Sequence, residues 1–118
     1  MRFNSECVRD ILLECERRIE PYEELYIEET DIPPSLSKYS WDELLYHLKQ
    51  CRSANLFNNK SHEDVLGAYV VNDITPKAHD LLEKIRNNKV WKKILSKSVS
   101  SIPTLITVAM EIAGNVIS

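Results

Sequence analysis

The sequence predicts a mainly helical α+β domain, and three observations carry that expectation. Apolar residues recur at steps of three and four along most of the chain, the period of amphipathic helices. Two apolar runs, around residues 25–27 and 65–74, have the length or alternation of strands. Only two glycines in 118 residues argue against a turn-rich all-β fold and against nucleotide-binding loops. A chain of this length forms one domain and can bury a single core. No run reaches the ~18 apolar residues of a membrane span, and MRFNSECVRD lacks the apolar core of a signal peptide. The expected location is therefore the cytoplasm.

Asn4 or Ser5 caps a first helix that runs to about Arg18. Val8, Ile11, Leu12, Cys15 and Ile19 share its apolar face, and Pro21 ends it. Leu25, Tyr26 and Ile27 then form a short edge strand. Around it Glu23, Glu24, Glu28, Glu29 and Asp31 make a solvated acidic edge. Consecutive acids on a strand point to opposite faces and no His lies nearby, so these carboxylates do not read as a metal site. Ile32-Pro33-Pro34 is a stiff spacer, and Ser35 to Lys38 hold one short helical turn.

The central helix lies between Tyr39 and Phe57. Ser40 is its N-cap, with Glu43 three residues on completing a capping box. Trp41, Leu44, Leu45, Leu48 and Cys51 form the apolar stripe. Asn55 supplies the left-handed residue that ends the helix. Tyr46, His47, Lys49, Gln50, Arg52 and Ser53 point outward, with His47 partly exposed. They are polar, aromatic and mildly basic, which suits solvent or a DNA groove.

Residues 57–64 form a polar loop and 65–74 a returning strand, with Leu66, Ala68, Val70 and Ile74 on one face and Val65, Tyr69 and Val71 on the other. Thr75 caps the next helix, with Pro76 at its first position. Ala78, Leu81, Leu82 and Ile85 line its inner face. Asn87-Asn88 break the helix, and Val90, Trp91, Ile94 and Leu95 continue as another to about Lys97. Lys84, Arg86, Lys89, Lys92, Lys93 and Lys97 make this the most basic run. After a linker at 98–101, Pro103 opens a last helix through about Val116, apolar nearly all round with Glu111 as its only charge. It is predicted to sit on the first helix and to form part of a self-association surface through Leu105, Ile106, Ala109, Ile112 and Val116.

Charge is uneven along the chain. Residues 1–48 hold twelve acids and five bases; residues 49–118 hold ten bases and six acids. Such asymmetry gives one basic face, or two halves that attract each other within the fold. The second reading is favoured, because neither half looks like a complete domain. Cys7, Cys15 and Cys51 are odd in number and none lies in a C-x-x-C pair, so buried reduced thiols are expected. His47 and Cys51 are four apart, but two ligands do not make a metal site. No Ser/His/Asp or Cys/His arrangement has supporting context. Neither an enzyme, a metal nor a cofactor is expected.

His47-Leu48-x-x-Cys51-x-x-Ala54-Asn55-Leu56-Phe57 resembles the H-L-x-x-L-x-x-A-G-L-I ending of the recognition helix in bacterial winged-helix regulators. Cys51 stands for Leu and Asn55 for Gly. I-T-P-K-A-H-D-L-L is similar to the L-T-x-x-G-x-x-L-L that follows the wing in regulators of the MarR and PadR type. From Val8 to Lys97 the chain resembles short, often prophage-encoded bacterial proteins of unknown function with a winged-helix-like fold. The strongest mark is Ala78-His79-Asp80-x-Leu82-x-x-Ile85-Arg86 leading to Val90-Trp91-x-Lys93. The resemblance implies a winged helix-turn-helix with a small β wing and extra C-terminal helices. It divides the chain into a winged-helix domain at 1–97 and a C-terminal helix at 98–118, and it implies no activity.

The leading functional expectation is a homodimeric, DNA-binding winged-helix protein, a phage or mobile-element transcriptional regulator. Tyr46, His47, Lys49, Gln50 and Arg52 would face the major groove, Lys60 would lie on the wing, and Lys89, Lys92 and Lys93 would meet phosphates. The alternative is a protein-interaction module on the same scaffold, using the acidic strand region or the last helix. Clustering decides between them. Basic residues sharing one face favour DNA; a face broken by Asp42, Glu43, Glu63 and Asp64 favours the alternative.

Overall fold

The computed structural model describes residues 1–18, 20 and 23–117, with the side chains of Val116 and Ile117 left aside. Helix α1 spans Ser5–Arg18, strand β1 Leu25–Ile27, a single 3-10 turn Pro34–Leu36, and helix α2 Trp41–Ser53. Strands β2 (His62–Glu63) and β3 (Tyr69–Val71) follow, then helices α3 (Pro76–Ile85), α4 (Asn88–Leu95) and α5 (Ile102–Ile117). The protein is thus a mixed α+β fold.

Local signals set the helix ends. Asn4 Oδ1 accepts the amides of Glu6 and Cys7 at 3.0 and 3.4 Å and caps α1. Ser40 accepts the Glu43 amide at 3.1 Å, while the Glu43 carboxylate takes the Asn4 side-chain amide at 3.4 Å. Thr75 and Asn87 cap α3 and α4 in the same way. Asn55 takes φ 62, and the carbonyls just past the end of α2 are closed from outside. Thr75 Oγ1 donates to Asn55 O at 2.7 Å and Lys77 Nζ to Ala54 O at 3.1 Å. Ile19 and Pro21, expected at the end of α1, lie outside the described residues.

The three strands pair antiparallel in the order β1-β3-β2. Leu25 pairs with Val71, Ile27 with Tyr69, and His62 with Val70. β1 is the expected edge strand, with Leu25 and Ile27 buried and Tyr26 exposed. The returning strand is much shorter than its alternation suggested. Only Tyr69–Val71 form it, with a further bridge from Phe57 to Ile74. Val65 and Leu66 stand at the hairpin tip instead. Asp64 is the reason: its carboxylate accepts the amides of Leu66 at 2.9 Å and Ala68 at 3.0 Å, bending the chain into a turn. Gly67, at φ +92, completes a turn that an L side chain would strain.

The buried cluster runs from α1 through α2 and β3 to the far helices, with Ile11, Leu12, Leu48, Phe57, Leu82, Ile94 and Leu105 at its centre. The last helix corrects the expectation that it would sit on α1. It packs mainly on α3 and α4, because α1 is already flanked by α2, α3 and the 3-10 turn. Leu105 and Ala109 are fully buried inside the protomer and present no surface to a second copy. Ile106 and Ile112 are half-buried against the same core. The Val116 side chain lies outside the described residues.

Candidate nucleic-acid interface

The outward face of α2 is largely engaged by the chain itself. His47, expected to face a groove, is fully buried. Its Nδ1 lies 2.7 Å from the Glu43 carbonyl and donates to it. That leaves Nε2 to accept the Asn4 amide at 2.8 Å. Phe3 lies 5.6 Å from the ring, and Tyr46 stands edge-on at 4.9 Å. His47 therefore ties the N-terminal segment to α2 and is out of reach of a base edge. The sequence carries a signal for this. Leu44, His47, Leu48 and Cys51 form an i, i+3, i+4, i+7 set, and all four are buried. Trp41 and Leu45, assigned to the stripe, are only half-buried.

Tyr46, Gln50 and Arg52 are half-buried. Lys49 is exposed, but its Nζ lies 3.1 Å from Glu63 Oε1 on β2. Strand β2 thus neutralises a lysine that was expected to reach DNA. Lys60 is exposed and opens onto a cleft of about 690 Å³ shared with Glu16, Glu20, Glu23, Glu24 and Asp73. Its neighbourhood is acidic.

Helix α4 behaves differently. Val90, Trp91 and Ile94 are buried, while Lys89, Lys92 and Lys93, with Lys97 just beyond the helix, are exposed. Arg9 holds the seam behind them, its guanidinium 4.8 Å from the Trp91 ring centre and its Nε donating to Ile85 O at 3.0 Å. Among the described residues, no carboxylate pairs with any of these four lysines. The other two candidates of the basic run are already paired, Lys84 with Asp80 and Arg86 with Glu16 and Glu83. The hydrogen bond from Arg86 holds the Glu16 carboxyl below its usual range.

Sequence reasoning missed Arg2. It lines a cleft of about 360 Å³ with Lys97, Phe3, Ile94, Leu95 and Val99, bringing the chain's start to the end of α4. The long-range bonds from Asn4 to His47 and Glu43, with Phe3 against the His47 ring, hold it there.

The thiols offer no reactive group. Burial, first of all, pushes Cys7 up to about 12 and raises Cys15 and Cys51 as well. Among the described residues no group of three His, Cys, Asp or Glu side chains is placed to hold a metal ion. Nor is any helix there long and apolar enough to cross a membrane.

The fold and its surface define a small α+β protein with a basic helix, α4, whose lysines have no carboxylate partner among the described residues. Over residues 2–102 the chain matches the family described as "Hypothetical protein (DUF2513)", and it belongs to that family. It is similar to an uncharacterized protein of Haemophilus influenzae, 26% identical over 120 residues that cover 100% of this chain and 97% of the relative. No solved structure matches.

Proposed function

We propose that the chain is a cytoplasmic, DNA-binding winged-helix protein, acting as a regulator of phage or mobile-element origin. The chain order α1, β1, short turn, α2, β2, β3 and the sheet order β1-β3-β2 support the winged-helix reading, with α2 as the recognition helix and β2–β3 as the wing. The observation that carries the DNA reading is the set of exposed lysines on and beside α4 with no carboxylate partner among the described residues. Phosphates would satisfy them. In this reading α4 supplies most of the affinity by releasing counterions, and α2 offers only Lys49, Gln50, Arg52 and Tyr46 to the groove.

Fluorescence anisotropy with random duplex DNA across a salt series tests it. The wild type should bind with an affinity that falls steeply with salt. Combining Lys89→Gln, Lys92→Gln and Lys93→Gln should flatten the log–log slope by about three, roughly 0.9 for each phosphate left without its lysine. A folded protein that shows no binding at low salt, or a triple variant with an unchanged slope, would overturn the reading.

A second reading, a protein-interaction module, has its own observation. Val65 and Leu66 at the wing tip are 101% and 90% exposed, where a DNA-binding wing carries Arg or Lys.

A further inference from the structure

We infer that the wing tip is a knob for a second copy of this chain, and that its socket is the cleft between the N-terminal segment and the end of α4. The inference names a partner for the second reading above, and of the lysine face it uses Lys97 alone.

The knob is built to stay put. Asp64 bonds the amides of Leu66 and Ala68 through its side chain, and its own amide donates to Ala68 O at 2.8 Å. The Gly67 amide donates to Asp64 O at 3.1 Å. Every one of these bonds is local to the tip, and none shields the two aliphatic side chains, which project fully into water. A rigid tip has already lost the backbone freedom that docking would otherwise remove. None of the described residues covers Val65 or Leu66, so a turn that holds two apolar side chains in solvent serves an external contact.

The socket has the matching chemistry. Phe3, Ile94, Leu95 and Val99 form its apolar surface, with Leu95 55% exposed although its helix neighbours Val90, Trp91 and Ile94 are buried. Arg2 and Lys97 stand on its rim without a carboxylate partner among the described residues. Of its two carboxylates, Glu6 is paired with Lys38, while Glu43 accepts only the neutral Asn4 side-chain amide and keeps its charge. Arg2 and Lys97 outnumber Glu43, so the net charge of the rim is positive. Immediately before Val65 the knob carries Glu63, which Lys49 holds, and Asp64, which accepts only neutral amides and so keeps its negative charge. Apolar surface meets apolar surface and the Asp64 charge meets the basic rim, which is the complementarity that selects a partner and its register. Because one chain holds both halves, two copies related by a twofold axis would seat two knobs in two sockets.

Sedimentation velocity on the full chain comes first. The wild type should dimerise, and Leu66→Asp should weaken the dimer about 30-fold or more, the effect of losing one buried leucine. Leu66 is exposed, so an unchanged circular dichroism spectrum should accompany the loss. Leu95→Asp should do the same from the socket side. The decisive arm mixes the two: labelled Leu66→Asp keeps its socket and unlabelled Leu95→Asp keeps its knob. Adding the second to the first should shift amide resonances of Arg2, Phe3, Lys97 and Val99. A monomeric wild type, a dimer unaffected by Leu66→Asp, or no shifts on mixing would each overturn the inference.

Discussion

Helices α2 and α4 look alike on paper, since each is amphipathic and each has basic residues outside. In the folded chain they differ on both faces. α2 buries His47 and Cys51 and has Lys49 paired to Glu63. α4 buries Val90, Trp91 and Ile94 and leaves its lysines without carboxylate partners among the described residues. Residue type is shared; what differs is which distant side chain arrives. A basic helix becomes a candidate polyanion surface only when no acid from elsewhere in the fold reaches it.

The inner faces should separate most sharply at high pH. Cys7 and Tyr69 are raised to about 12 from 9.0 and 10.0, chiefly by burial. Cys15, Cys51 and Tyr39 are raised too, again with burial first. Each acid is harder to ionise in the fold than in the unfolded chain. The stability they contribute is therefore complete below their unfolded values and is lost as pH rises through about 9 to 12. Each such group costs about 1.4 kcal/mol per pH unit in that window. Urea denaturation between pH 8 and 11 should show stability falling by several kcal/mol. Amides of α1 and α2 should lose hydrogen-exchange protection before those of α4, whose inner face holds no titratable group. A flat profile to pH 11 would break this side of the comparison.

His47→Ala comes next in size. It removes the acceptor for the Asn4 amide and leaves a hole between Phe3 and Tyr46. The expected loss is about 2–4 kcal/mol by denaturant unfolding. Lys92→Ala, on the exposed face of α4, should stay within about 0.5 kcal/mol. Equal effects would mean that His47 does not anchor the N-terminal segment.

The smallest expected effect sharpens the outer-face contrast. Glu63→Gln removes the acid that holds Lys49 at 3.1 Å. Freed, Lys49 should make α2 resemble α4. On the DNA-binding proposal, duplex affinity should then rise a few-fold at low salt, with the salt slope steeper by about one. Unchanged affinity would place Lys49 away from the DNA-facing surface.

Much of the scaffold is legible in the sequence because its signals are short-range. Ser40, Thr75, Asn87 and Asn4 each accept an amide two or three residues ahead, and Asn55 takes the left-handed conformation expected of it. The edge strand at Leu25–Ile27 announces itself by its composition. The candidate surface is less legible. By residue type His47 is a polar group facing outward, although its spacing with Leu44, Leu48 and Cys51 points inward. The Val65–Ile74 alternation runs past Gly67, which with Asp64 makes the turn and cuts the strand short.

By itself, then, the sequence determined where helices begin and end, which faces are apolar, and that the second half is basic. Those properties depend on residues within a turn or two of one another. Only the tertiary structure decided that Asn4 reaches across 43 residues to His47, that Glu63 reaches Lys49, and that α5 lies against α3 and α4. It also decided that the lysines of α4 meet no acid among the described residues. A charge or a ring nitrogen takes its role from the partner that folding brings to it, and neither periodicity nor composition specifies that partner.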